Sequence, residues 1–267
     1  MPTICFIDSG VGGLTILREA VKQGIPGKYI YCADRKYYPY GGLSESELSS
    51  RLVELTSKLE KLYEIDVLVL ACNTASTLVL ESLRAKFNFP IVGVVPAVKP
   101  AASISKTKVI GLLATEGTIK RPYTDDLIRK FCEGIEVIRI GSNHIVEMAE
   151  SKILEADYEA PRTLLKQILD PFLKEKRLDT VVLACTHFPF LESEISSLLG
   201  RGVSVVDSAE AVCKRLAHIL SEVSSPSHKD QGSGQHVIFM STSESSKFYS
   251  IKKILQGFDK IEIIDLI

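Results

Sequence analysis

The chain has 267 residues, 45% of them hydrophobic and 24% charged, with a formal net charge of −1, a composition that suits a globular protein of one large or two small domains. Acids and bases are mixed throughout and no basic arm is present, which excludes a phosphate-neutralising surface and nucleic acid as the main partner, and leaves a small molecule as the expected substrate. The apolar runs at 67–72 and 109–114 are far shorter than the roughly 20 residues that cross a bilayer, so no membrane partner is expected; without a secretory pattern at Met1 or a C-x-x-C among the six cysteines, the expectation is a cytoplasmic protein with reduced thiols.

In chain order, short β-branched runs alternate with longer amphipathic ones, the pattern of an α/β protein with doubly wound, mainly parallel sheets. Strands are predicted at 3–8, 29–33, 66–71, 91–95, 108–114, 135–140, 180–184, 203–207, 236–241 and 261–265. Between them, Leu48, Leu52, Leu55, Leu59 and Leu62 recur at helical spacing over 44–63, and Ser44 with Glu47 forms a capping-box start. Further helices are predicted after Gly13, Thr74, Pro122, Asn143, Ala160, Leu191, Ala209 and Ser243. Residues 224–235 read as an exposed loop, and 96–106, with Pro96 and Pro100, as a break between strands. One long-range repeat stands out: VLVLACNTAS around Cys72 and TVVLACTHFP around Cys185 each join an apolar strand to Ala-Cys and a polar turn. It predicts two similar half-structures that bring matching strand ends to a shared cleft.

Ligands of doubly wound sheets sit beyond the carboxyl ends of the strands. The polar segments there are 8–13 (DSGVGG), 38–42 (YPYGG), 72–74 (CNT), 115–118 (TEGT) and 185–187 (CTH). Cys5, Cys32, Cys132 and Cys213 lie within strands or helices and read as small core residues, whereas Cys72 and Cys185 stand where a helix N-terminus could stabilise a thiolate. Two such thiols, each able to act as base or acid, meet the needs of inverting a carbon stereocentre, with one removing the α-proton and the other returning a proton on the opposite face. The developing charge would fall to hydrogen-bond donors, for which the glycine-rich turn and the helix after it are candidates; a plain strand-to-helix turn is the competing reading. Asp8 reads either as a helix cap or as a group that orients Cys72, and His187 either as an exposed loop residue or as a partner that polarises Cys185. The arginine of a cysteine phosphatase is absent, with Leu78 and Leu191 in its place, and no ligand cluster suggests a metal. A cysteine amidohydrolase or lyase stays open.

FIDSGVGGLTILRE, ADRKYYPYG, ACNTAS, GVVPAVKPA, LLATEGTIK, LACTHFPFL and VVDSAEAV, in this order, resemble the glutamate racemases of the aspartate/glutamate racemase superfamily over most of the chain. The resemblance implies two α/β domains, residues 1–96 with 208–267 and residues 97–207, enclosing the site. It also implies interconversion of L- and D-glutamate for peptidoglycan synthesis without cofactor or metal, by a cytoplasmic homodimer. By position, Cys72 and Cys185 match the acid/base pair, assisted by Asp8 and His187. Asp8, Ser9, Tyr40, Gly41, Asn73, Thr74, Thr186 and His187 match substrate-binding positions, and Thr118 and Glu147 match positions that line or support the site. Ala97 departs from the family's Val-Pro-Gly, and 141–145 (GSNHI) from its Cys-Pro pattern. The chain lacks the extension before Met1 carried by members that a peptidoglycan precursor activates, so no such activation is expected. The competing functions are a racemase for aspartate or another acidic amino acid, and a non-catalytic binder that keeps the fold.

Overall fold

The β-branched runs form strands in the computed structural model, which describes residues 1–155, 158–223, 236–243, 251–256 and 258–266. They belong to two units, Met1–Val94 with Ala209–Ile267, and Val95–Ser208. The first begins with β1 (Thr3–Asp8), α1 (Leu14–Lys22), β2 (Lys28–Ala33), α2 (Glu45–Leu62), β3 (Val67–Leu70), α3 (Asn73–Lys86) and β4 (Ile91–Gly93). The second holds α4 (Val98–Ile104), β5 (Val109–Ala114), α5 (Glu116–Ile119), α6 (Pro122–Phe131), β6 (Glu136–Gly141), α7 (His144–Leu154), α8 (Arg162–Ile168), α9 (Asp170–Lys174), β7 (Thr180–Ala184), α10 (Glu192–Leu199) and β8 (Ser204–Val206). The chain then returns to the first unit with α11 (Ala209–Val223), β9 (His236–Ser241), α12 (Ile251–Ile254) and β10 (Lys260–Asp265).

Both sheets are parallel, six strands in the order β10-β9-β2-β1-β3-β4 and four in the order β6-β5-β7-β8. The central strands β3, β5 and β7 are buried along their whole length, because crossover helices cover both faces of a parallel sheet. Each fully buried Val, Leu or Ile contributes roughly 1.5–3 kcal/mol. The repeat seen in the sequence is therefore architectural: β2-β1-β3-β4 in one sheet has the same order as β6-β5-β7-β8 in the other. In each, the chain leaves its first strand to one side and later returns to the other side. This places a topological switch point between β1 and β3 and another between β5 and β7.

Helix α2 shows the capping box in full, with the Glu47 amide donating to Ser44 Oγ (3.3 Å) and the Ser44 amide to Glu47 Oε2 (3.0 Å). Leu48, Leu52, Leu55 and Leu59 enter the core, but Leu62 is 54% exposed. It ends the helix, and the next residue, Tyr63, packs on the cluster instead. The break expected at 96–106 is also corrected, since α4 occupies most of it. Pro100 falls in the first turn of that helix, where its missing N–H would have had no partner. The loop expected at 224–235 lies outside the described residues, as does 244–250, where the helix after Ser243 was expected to begin. No helix among the described residues is long and apolar enough to cross a membrane.

Asp179 ties the start of β7 to the segment that follows α4. Its carboxylate accepts from Ser105 Oγ (2.7 Å), the amides of Lys106 (2.7 Å) and Thr107 (2.9 Å), and Thr180 Oγ1 (3.0 Å). Burial alone would raise its pKa, but the Thr107 amide, the Ser105 hydroxyl and the Lys106 amide outweigh it and hold the carboxyl well below the usual carboxylate range. A pKa depressed on folding gives stability that is complete above the unfolded value, near 4, and is lost as pH falls towards the folded value. Asp179→Ala is expected to lower the urea midpoint at pH 7 by the equivalent of about 1 kcal/mol, discounted for partial exposure. The difference from wild type should shrink as pH falls below about 4.

Candidate active site

The first switch point gathers the amino-terminal motifs. Asp8 ends β1 fully buried, and its Oδ1 accepts from the Gly10 amide (2.7 Å), which closes the local turn; it does not cap α1, whose N-cap is Gly13. The register Ile7↔Leu70 brings Asp8, Ser9 and Cys72 to the same end of adjacent strands. Gly13 is required by packing, because a Cβ there would lie 2.7 Å from the Ala71 Cβ and 3.0 Å from the Tyr31 hydroxyl. The amides expected to be free at the start of α1 are engaged at all three first-turn positions, Leu14 donating to Val11 O (3.1 Å), Thr15 to Gly12 O (3.0 Å) and Ile16 to Gly13 O (3.0 Å).

Cys72 is the N-cap of the 14-residue α3, in extended conformation, with no capping bond from its side chain. A sulfur there faces the positive end of the helix dipole, which favours the thiolate. Ser76 fixes this end of the helix, its Oγ donating to Leu70 O (2.9 Å) and accepting from the Val94 amide (2.9 Å). Asn73 and Thr74 follow in the first turn and are buried.

Tyr40 and Gly41 form a 3-10 turn after β2, and Tyr40 packs in the same apolar cluster as Cys72 and Ala75. The Tyr40 hydroxyl donates to Asp34 Oδ2 (3.0 Å), a residue that the motif reading left out. Asp34 is fully buried and also accepts from the Arg51 Nε (2.9 Å) and Nη2 (2.6 Å) and from Thr242 Oγ1 (2.8 Å). Burial first, and then the Asp34 charge, push the Tyr40 phenol well above its ordinary pKa. Tyr40 is thus an anchor for its turn, and the contact it can offer a ligand is main-chain.

At the second switch point, Thr115 caps α5, its Oγ1 accepting from the Thr118 amide (3.2 Å) and donating to Thr118 Oγ1 (2.9 Å). Thr118 is fully buried and its carbonyl accepts from Thr124 Oγ1 (2.6 Å), so the structure gives it a role in shaping the turn.

Cys185 follows β7 directly, with Thr186 and His187 buried beside it. His187 is 3% exposed, not the exposed loop residue that was one of its two readings. Its Nδ1 lies 3.8 Å from Cys185 Sγ, and its Nε2 lies 2.7 Å from Glu150 Oε1. With Nε2–H donating to Glu150, Nδ1 can accept the thiol proton or, once protonated, donate to a thiolate. Burial alone would lower the imidazole pKa, but the bonds to Cys185 and Glu150 and their negative charge carry it well above 6.5. Lys152 holds the neighbouring 3-10 turn (Phe188–Leu191) by donating to Phe190 O (2.9 Å) and to Glu194.

The supporting carboxylate on α7 is therefore Glu150 and not Glu147, which is exposed and reaches His144 Nδ1 (3.3 Å) on the helix surface. The two differ by about one turn, so helical spacing alone does not separate them. Sequence neighbours do not separate them either, since Glu147 stands between the buried Val146 and Met148 and Glu150 follows the buried Ala149; the contact with His187 does. The other cysteines are structural; burial pushes the Cys5 thiol up to about 12 and the Cys32 thiol well above its ordinary value. No group of three His, Cys, Asp or Glu among the described residues could hold a metal ion.

Two parallel-sheet units with polar motifs at their switch points suit an isomerase of the amino-acid racemase class. The chain belongs to the Asp/Glu/hydantoin racemase family, whose model matches residues 15–216. The glutamate racemase of Actinobacillus pleuropneumoniae serotype 7 is 41% identical over 268 residues, covering 99% of this chain and 98% of that protein. That of Aliivibrio fischeri is 48% identical over 219 residues, covering 82% and 81%. Among solved structures, Escherichia coli glutamate racemase in complex with L-glutamate and the activator UDP-MurNAc-Ala matches with a TM-score of 0.88 at 39% identity, covering 99% of this chain and 98% of that one.

If Glu150 sustains the imidazolium, Glu150→Gln lowers the pH at which that charge is lost. Alkylation of Cys185 by iodoacetamide at pH 7, followed by peptide mass spectrometry, is then expected to slow by about tenfold. Glu147→Gln should leave the rate at the wild-type value.

Proposed function

We propose that this protein interconverts L- and D-glutamate without a cofactor, with Cys72 and Cys185 as the two acid/base groups. The observation that carries the reading is the buried relay from Cys185 Sγ through His187 to Glu150, set at the carboxyl end of a central strand. A thiol held 3.8 Å from an imidazole that is itself fixed by a carboxylate is prepared to gain and lose a proton. Glutamate as the substrate is supported by the relatives' names and by the L-glutamate held in the Escherichia coli structure. Supply of D-glutamate for peptidoglycan is the role that follows.

In the proposed cycle one cysteine is a thiolate and the other a thiol. The thiolate takes the α-proton from one face of the amino acid, and the electron pair spreads into the substrate carboxylate. The thiol on the opposite face then gives its proton to carbon, leaving the enantiomer and the two sulfurs in exchanged protonation states. No electrons leave the substrate and no other reactant is consumed. His187 assists Cys185, Asp8 assists Cys72, and Ser9, Gly41, Asn73, Thr74 and Thr186 with the Tyr40 main chain bind the substrate. Hydrogen bonds to the carboxylate stabilise the carbanion as charge develops there. Residues 1–96 with 208–267 supply one thiol and residues 97–207 the other.

Purified protein given L-glutamate with no added cofactor should abolish its circular dichroism signal, while L-aspartate should keep its own. Preferential turnover of aspartate would instead favour the related acidic racemase. Cys72→Ser and Cys185→Ser should each slow racemisation by about 100-fold or more with unchanged far-ultraviolet spectra. Near-normal turnover in either variant removes the two-base assignment.

A further inference from the structure

The segment that joins β2 to α2 carries the Tyr40–Gly42 turn, and a buried charge pair organises it. Asp34 opens the segment and is tied to the end of β1 by its amide, which donates to Asp8 O (2.8 Å). Each of its carboxylate oxygens takes two donors: Oδ1 accepts from Arg51 Nη2 (2.6 Å) and Thr242 Oγ1 (2.8 Å), and Oδ2 from Arg51 Nε (2.9 Å) and the Tyr40 hydroxyl (3.0 Å). The guanidinium, carried by α2, also lies 4.5 Å from the centre of the Tyr37 ring. Gly41 and Gly42 follow, exposed and outside the left-handed backbone region, and a Cβ on either would meet no described atom within 4 Å. Neither packing nor backbone conformation demands glycine at these two positions. What they leave is a bare main chain that a ligand can approach closely.

We propose that Arg51, acting through Asp34, is a positioning residue for substrate binding: its fork sets where the main chain of Tyr40 and Gly41 meets the amino acid. The inference rests on the proposed role of those two residues in substrate binding. A planar guanidinium with two nitrogens on separate carboxylate oxygens fixes the orientation of Asp34 as well as its place, which the point charge of a lysine ammonium does not. Asp34 so oriented turns Oδ2 to the Tyr40 hydroxyl, and the turn is held in register with Asp8 at the end of β1. The side chains of Arg51 and Asp34 are 11% and 0% exposed, so removing one partner leaves the other as an unpaired charge in the core. Among the described residues Arg51 bonds to Asp34 and Glu54, neither of them proposed for proton transfer. Loss of the fork should therefore reach substrate affinity and not the chemical step.

The test is steady-state kinetics of the full chain with L-glutamate, with thermal unfolding measured beside it. The proteins are the wild type, Arg51→Lys, the Asp34→Asn/Arg51→Met double variant and Glu54→Gln. The lysine variant keeps the buried charges balanced and the double variant removes both, so neither leaves a lone ion in the core. Both lose the fork and should raise KM about tenfold or more, with kcat within about threefold of wild type. Glu54 approaches Arg51 Nη1 at 3.5 Å from the exposed side, and its replacement by Gln should leave both constants unchanged. A merely structural role would lower the unfolding temperature without moving KM; that result in both fork variants overturns the proposal, as does a loss confined to kcat. Should the wild type not turn over L-glutamate, the functional reading fails and takes this role with it. Wild-type turnover with unchanged KM in the fork variants removes this role alone.

Discussion

A parallel sheet can grow in two directions from its first strand only if the chain leaves that strand on one side and comes back on the other. At that point the two flanking crossovers pass over opposite faces, and the carboxyl ends of the strands between them stay uncovered. Here the constraint operates twice, between β1 and β3 and between β5 and β7, because both sheets contain the same strand order. Asp8 and Cys72 stand at the first of these ends, and Cys185 and His187 at the second. The side chains proposed for the chemistry are thus placed by topology before any side-chain contact is considered.

The two thiols proposed for proton transfer have different surroundings. Cys72 caps a helix of 14 residues, whose dipole favours negative charge on the sulfur. Cys185 precedes only a four-residue 3-10 turn, and its polar neighbour is His187, held by Glu150. This asymmetry explains why one motif is Cys-Asn-Thr and the other Cys-Thr-His. A similar division separates the residues that touch chemistry from those that hold them. Asp34 and Arg51 fix the Tyr40 turn through a buried ion pair, and Ser76 clamps the start of α3.

The fold was legible because buried parallel strands read as short apolar runs punctuated by glycine and polar turns, and because Ser44 and Glu47 announce α2 locally. Proline was over-read at 96–106, where its place in the first turn of α4 decided the outcome. Leu62 obeyed the helical period but fell at the helix end, beyond the core. The cysteines at the strand ends were legible from the repeat. Glu150 and Asp34 were not, since each is chosen by a partner distant in sequence, His187 for one and Arg51 and Thr242 for the other. Periodicity on α7 allows either Glu147 or Glu150, and only packing distinguishes the buried one.

The most direct measurement follows the α-hydrogen during early turnover of L-glutamate in deuterium oxide by the unmodified protein. If one sulfur removes the hydrogen and the other delivers a solvent-derived deuteron, the first D-glutamate formed carries deuterium at the α-carbon while the remaining L-glutamate still carries protium. D-glutamate that retains the original protium, or deuterium entering both enantiomers at equal early rates, would show a single shared base and contradict the account.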